Sequence, residues 1–126
     1  MKPILLFELA SQQARWLSAR QVAVAENIAN ANTPGYKAVD VPPFEAVLNN
    51  GNISLSSTNP LHFGADPAAR DSIPLAEEAS WEVTHSGNSV NLDQELMKSG
   101  EVGNASSLNR AIVRVFNQML MTSLKG

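Results

Sequence analysis

The chain opens and closes with long stretches in which apolar residues recur at helical spacing. From Ile4 to Ala31, the residues Leu6, Ala10, Leu17, Val24, Ile28 and Ala31 follow one another at intervals of three, four or seven, and Leu9 and Ala14 widen the stripe. Glu8, Arg15, Arg20 and Glu26 fall away from it. A helix of roughly 28 residues spans about 42 Å, longer than a small domain is wide. It ends at Pro34, which has no N–H to donate and drives Thr33 out of the helical region. Thr33-Pro34-Gly35-Tyr36 has the residue order of a type II turn. The second stretch, Leu92 to Leu124, carries Leu108, Ile112, Val115, Phe116, Met119, Leu120 and Leu124 as a wide apolar stripe. Asn91 with Gln94 three residues on resembles a capping box. Asp93 and Glu95 in the first turn and Lys125 just past the last suit the helix dipole. Gly100 and Gly103 each weaken a helix by about 1 kcal/mol relative to alanine, so a bend or break is expected between them.

The middle is different material. Six of the seven prolines fall between Pro34 and Pro74, where they interrupt any long periodic element. Pro42 to Leu48 reads as a short helix with proline at its start, or as a strand paired with Ile53-Ser54-Leu55 across Asn50-Gly51; the helix is preferred. Ala65 to Ala79 reads as a loop, and Trp81-Glu82-Val83-Thr84 alternates like a strand. The organisation expected is a mainly α chain in three parts: an N-terminal helix and turn over residues 1–36, an irregular middle over 37–90 with a short helix and room for short β-strands, and a C-terminal helix over 91–126. The two long helices pair as an antiparallel, coiled-coil-like bundle.

Two helices make a thin core. Burial worth about 25 cal/mol per Å² must offset roughly 1–2 kcal/mol of backbone entropy per residue, and the middle offers few apolar residues to complete the cover. Two readings follow: neighbouring chains cover the remaining stripes, or the middle folds over the pair. The balance favours burial between chains.

Composition removes several functions. At 126 residues the length suits one domain. A net charge of -3 with 9 Lys and Arg argues against a dedicated nucleic-acid surface. The early apolar run stops at Glu8, too short for a secretory signal, so the N-terminus is expected to be retained. Without cysteine there is no disulfide, thiol nucleophile or thiolate metal site. The titratable candidates for catalysis are His62, His85 and scattered carboxylates. His62-x-x-x-Asp66 sits in a proline-rich loop, and Ser86 beside His85 is adjacency in sequence, which is no nucleophile–base pair. The pattern is that of a non-enzymatic protein with no cofactor or metal.

One segment narrows the field. Asn27-Ile28-Ala29-Asn30-Ala31-Asn32-Thr33-Pro34-Gly35-Tyr36-Lys37 closely resembles the N-terminal signature of bacterial flagellar rod and hook proteins: a long helix ending in Asn-x-Ala-Asn, then Thr-Pro-Gly-Tyr-Lys. Ser86 to Leu96 is similar to the Gly-Asn-x-Val-x-Leu-Asp stretch that opens the C-terminal helix of short rod subunits, and Thr58-Asn59-Pro60-Leu61-His62 is similar to the middle of the proximal-rod type. Residues 63–85 match nothing in that pattern, and Gly100 and Gly103 depart from it.

The resemblance implies a subunit of the basal-body rod, exported without a cleaved Sec signal through the flagellar type III apparatus. Such a subunit polymerises helically, transmits torque and forms part of the axial channel. The implied partners are copies of itself, other rod proteins and the FliE adaptor at the membrane-ring junction. In that setting Leu6, Leu17, Val24 and Ile28 face Leu108, Ile112, Val115 and Met119 within the chain or in neighbours. Asn27 and Asn30 fix the turn or an adjacent subunit. Thr33, Pro34 and Gly35 set the turn, and Tyr36 lays its ring on a helix with its hydroxyl outward. Trp16 is expected in core packing. The alternative is a soluble helical adaptor that never polymerises.

Overall fold

The computed structural model describes residues 3–51, 73, 75–78 and 83–126, with side chains except at residues 3, 4, 50 and 51. Two helices dominate it: α1 (Pro3–Ala29) and, at the other end, α3 (Leu92–Lys125). Between them lie β1 (Val39–Asp40), α2 (Phe44–Gly51) and β2 (Ala76–Glu77).

The two long helices form an antiparallel hairpin. Phe7 meets Phe116 edge-on with ring centroids 5.4 Å apart. Asn109 Nδ2 donates to the Ala10 carbonyl at 3.0 Å, and Arg20 Nη1 reaches Glu101 Oε2 at 3.3 Å. As the residue number falls on one helix it rises on the other, and Thr33–Tyr36 sits at the closed end. The buried apolar residues gather toward that end: Leu17, Ala23 and Val24 of α1, Val102 of α3, and Ala38, Val41 and Val90 from the connecting segments. The middle thus contributes to the core, as one of the two sequence readings allowed.

α1 closes slightly earlier than the apolar pattern suggests. The Asn30 N–H is shared between the Glu26 and Asn27 carbonyls, and the Ala31 N–H turns back to Ile28, a tightening typical of a final turn. The Tyr36 N–H then bonds the Thr33 carbonyl at 3.2 Å, and Gly35 takes φ 73°, as the third position of a type II turn demands. The short helix preferred over a strand is α2, whose first turn starts on the Pro43 carbonyl. Its alternative partner, Ile53–Leu55, lies outside the described residues, as does Trp81-Glu82. Val83 and Thr84 are not in a strand. The strand that does form is Ala76–Glu77, antiparallel to β1 with Val39 opposite Glu77 and Asp40 opposite Ala76.

α3 runs unbroken through Gly100 and Gly103, contrary to the bend expected there. Its N-terminus is capped by Asn91, whose Oδ1 accepts from the N–H groups of Asp93 and Gln94. The Gln94 side chain does not complete a capping box; it turns to Glu78 instead. Buried Val102 and Lys98, the latter held by Asp40 and Glu78, fix the helix on either side of the glycines, which outweighs the ~2 kcal/mol the pair costs. A Cβ at either glycine meets nothing within 4 Å. Gly100→Ala and Gly103→Ala are therefore each expected to stabilise the isolated chain by about 0.5–1 kcal/mol, read as a rise in melting temperature.

Candidate assembly interface

The wide apolar stripe expected on α3 resolves into two. The inward stripe runs Glu95, Lys98, Val102, Asn109 and Phe116, at spacings of three, four and seven, so much of the face against α1 is polar or charged. The second stripe, Leu108, Ile112, Val115 and Met119, lies beside that face and is exposed. Near the open end of the hairpin, Leu6 of α1 joins Ala111, Ile112, Val115, Phe116 and Met119 around an apolar groove of about 320 Å³.

The sequence-derived interface residues therefore separate. Leu17 and Val24 are buried inside the chain, and Ile28, Leu108, Ile112, Val115 and Met119 remain open. Leu6 is half-buried on the groove wall.

Asn27 is fully buried. Its Nδ2 donates to the Val39 carbonyl at 2.8 Å and its Oδ1 accepts from the Val39 N–H at 3.0 Å, so the side chain stands in for a neighbouring strand. The Tyr36 hydroxyl donates to the same Oδ1 at 3.2 Å. The tyrosine hydroxyl thus points inward rather than outward, because a buried phenol needs a partner and Asn27 supplies one. Burial, then the nearby charges of Glu26 and Glu95, hold that phenol above its ordinary titration range. Asn30 stays local: its Nδ2 donates to the Glu26 carbonyl and its Oδ1 accepts from the Thr33 hydroxyl.

Across from this turn lies the second motif. Asn88 is buried, and its Nδ2 donates to the carbonyls of Asn30, Ala31 and Thr33 at 2.8, 3.0 and 2.8 Å. These carbonyls lie where α1 ends and the helical bonding pattern stops; those of Asn30 and Thr33 also accept from the Thr33 and Tyr36 N–H groups, and a residue from the far side of the chain ties all three together. Asn88 Oδ1 accepts from the Val90 N–H at 2.8 Å. Ser89 Oγ takes the Ala38 N–H at 2.7 Å, the Ser89 N–H bonds Tyr36 O, and the Gly35 N–H bonds Ser86 O. Gly87 adopts φ 79° directly against Gly35. The two sequence signatures are thus the two halves of one lock that closes the hairpin. Their order in the sequence identifies them, but nothing in a linear pattern shows that they bond each other.

A charged cluster ties β1 and β2 to the helices. Lys98, 6% exposed, pairs with Glu78, with Asp40 at 3.4 Å and with Glu95 at 3.4 Å. Arg20 joins Asp40 at 3.5 Å and lies over the Trp16 ring. Glu95 is buried, and its Oε2 has no hydrogen-bond partner among the described residues. Burial pulls the Lys98 ammonium pKa down, but the Glu78 hydrogen bond and the charges of Asp40, Glu95 and Glu78 together leave it above its ordinary 10.5. Trp16 packs beside Phe44 and donates its Nε1–H to the Pro42 carbonyl at 2.7 Å, a structural role. His85 is exposed in the turn before Asn88, and Ser86 Oγ sits 2.9 Å from Thr84 Oγ1. His62 and Asp66 lie outside the described residues. Among the described residues no helix is long and apolar enough to cross a membrane.

A long helical hairpin, locked at one end and with an exposed apolar ridge along one helix, and with no metal cluster among the described residues, has the form of a structural protein. The comparisons with known proteins agree. The family profile described as "Flagella basal body rod protein" matches residues 16–37, from the middle of α1 through the turn. The chain is 46% identical to the flagellar basal body rod protein FlgB of Agrobacterium fabrum, over 99% of this chain and 96% of that protein. It is 29% identical to FlgB of Buchnera aphidicola over 96% of this chain and 95% of the relative. Against FlgB of Salmonella typhimurium it is 32% identical, over 60% of this chain and 61% of the relative. The chain belongs to the FlgB family of flagellar basal body rod proteins, structural components of the rod in the flagellar basal body.

Proposed function

We propose that this chain is a proximal-rod subunit that polymerises helically, transmits torque along the axis and forms part of the wall of the export channel. The observation that carries the reading is the uncovered stripe Leu108, Ile112, Val115 and Met119 beside the apolar groove. A contiguous apolar ridge of this kind marks a contact surface. Copies of the chain and other rod proteins are its expected occupants, with the FliE adaptor at the membrane-ring junction. Stiffness follows from the same geometry, since long helices packed densely on neighbours transmit strain rather than absorb it. Export through the flagellar type III apparatus without a cleaved Sec signal, and residence in the periplasmic part of the rod, complete the proposal. No catalytic step, cofactor or nucleic acid enters it.

Ile112→Asp and Val115→Asp test the reading. Both side chains are exposed, so the isolated variants are expected to melt within about 0.5 kcal/mol of the parent. Assembly is expected to fail, because the contact would bury an unpaired charge. Swimming in soft agar by a strain carrying either variant measures this; normal motility counts against the ridge as an interface. A non-polymerising adaptor predicts such normal motility.

A further inference from the structure

A second cleft opens on the flank of α1. Trp16 and Phe44 wall it, with ring centroids 5.9 Å apart, and the space beside them is about 410 Å³. Its charged rim is mostly acidic. Arg20, stacked over the Trp16 ring, is already paired with Asp40 and Glu101, while Glu45 stands exposed in the first turn of α2. Toward the open end the same flank of α1 continues as Leu9 and Leu5, seven and eleven residues before Trp16, and both are exposed.

α3 carries a stripe of complementary character. Arg114, Met121 and Lys125 are exposed, on a side of the helix apart from both the inward face and the Leu108–Met119 ridge. Their intervals of seven and four mirror those from Trp16 to Leu9 and from Leu9 to Leu5. From Ala105 to Lys125 the helix has no acidic residue, and Arg114 has no ion pair among the described residues. Laid antiparallel to α1, the stripe sets Arg114 at the cleft, Met121 on Leu9 and Lys125 beside Leu5 and Glu8. An arginine suits the cleft because its planar cation stacks on aromatic faces and pairs with carboxylates.

We propose that a second copy of this chain docks alongside the first, with its Arg114 guanidinium in the Trp16–Phe44 cleft against Glu45 and its Met121 on Leu9. This rests on the rod-subunit reading and deepens it by naming the occupant of one lateral site. The charge and spacing that match the cleft are this chain's own, which is why the occupant is a second copy. The two surfaces differ, so the contact is heterologous and no two-fold axis relates the copies. It also fixes a stagger. Within one chain Asn109 meets Ala10 and Glu101 meets Arg20, which puts Trp16 level with about residue 104 of α3. Seating Arg114 there shifts the neighbour by roughly ten residues, about 15 Å along the helices.

The test uses purified basal bodies from cells that co-express two single-thiol chains, one with Glu45→Cys and one with Arg114→Cys; the parent has no cysteine. A short bis-maleimide is added and the linked peptides are identified by mass spectrometry. The expected product joins position 45 of one copy to position 114 of another. A 45–45 or 114–114 product, or no linked pair in basal bodies that contain both chains, overturns this proposal and leaves the rod reading standing. Absence of the parent chain from purified basal bodies counts against both. A second set of variants reads the charge. Glu45→Arg and Arg114→Glu, both at exposed positions, are each expected to lower incorporation into basal bodies about tenfold while the isolated chains melt as the parent does. Combined in one chain, the two reversals are expected to restore incorporation. Parental incorporation of both single variants, or no recovery in the double variant, overturns the proposal.

Discussion

Asn88→Asp is expected to unfold the closed end of the hairpin almost as thoroughly as Asn88→Ala. The side chain is buried, and its amide is the common donor to the carbonyls of Asn30, Ala31 and Thr33. Alanine removes this donor from the Ala31 carbonyl and the acceptor of the Val90 N–H, at about 1–3 kcal/mol for each group that water cannot reach, and leaves the Asn30 and Thr33 carbonyls with only the Thr33 and Tyr36 N–H groups. Aspartate keeps the volume and can still accept from Val90, but it turns a donor into a carboxylate facing three carbonyl oxygens. Losses of about 3 kcal/mol or more are expected for both, on the order of 10 °C in melting temperature. If Asn88 merely filled space, the near-isosteric aspartate would be mild and alanine severe. Urea melts of the two variants beside the parent separate these outcomes.

Lys98→Met is the second large effect. Methionine keeps most of the stem and removes the cation that Glu78, Asp40 and Glu95 share. Removing one partner from a buried cluster leaves the others uncompensated, at about 3–5 kcal/mol. The break also loosens the β1–β2 flap from α3, to which Asp40 and Glu78 tie it, although Gln94 Nε2 still donates to Glu78. Arg20 still holds Asp40, so the flap is loosened on one side only. The pH dependence gives an independent check. The folded ammonium titrates above its ordinary 10.5. Its contribution is therefore complete below 10.5 and disappears as pH rises through the folded value. Tyr36, also raised, loses stability in the same alkaline direction. The difference in stability between parent and Lys98→Met isolates the lysine: it is expected to be constant from neutral pH to about 10 and to shrink above that. A difference that stays flat through pH 12 contradicts the assignment.

The architecture was legible because its strongest signals are periodic or punctuated. Leu17 and Val24 at heptad spacing mark the buried face of α1, Pro34 and Gly35 set its end, and Asn91 caps α3. The errors have a common cause. Apolar spacing on α3 suggested one wide stripe, whereas the helix turns Glu95, Lys98 and Asn109 inward and leaves Leu108, Ile112, Val115 and Met119 outside. A polar residue on a buried face is invisible to a hydrophobic pattern unless its partner is known, and the partners lie far off in sequence: Asp40 and Glu78 for Lys98, the Ala10 carbonyl for Asn109. The break expected at Gly100 and Gly103 failed for a related reason, since propensity is local and the packing of Val102 is not. The inward turn of the Tyr36 hydroxyl depends on Asn27, a partner that no local pattern reveals. The Asn-rich signature and the Gly-Asn segment were both recognisable, but their mutual bonding needed the fold.

The ridge along α3 is the surface on which the account stands, and the absence of cysteine from the chain makes it directly measurable. A single thiol introduced as Val115→Cys can be titrated with a maleimide in the isolated chain and in purified basal bodies. Rapid labelling of the isolated chain and near-complete protection in the assembled rod are expected. Equal labelling in both would mean that no neighbour ever covers the ridge.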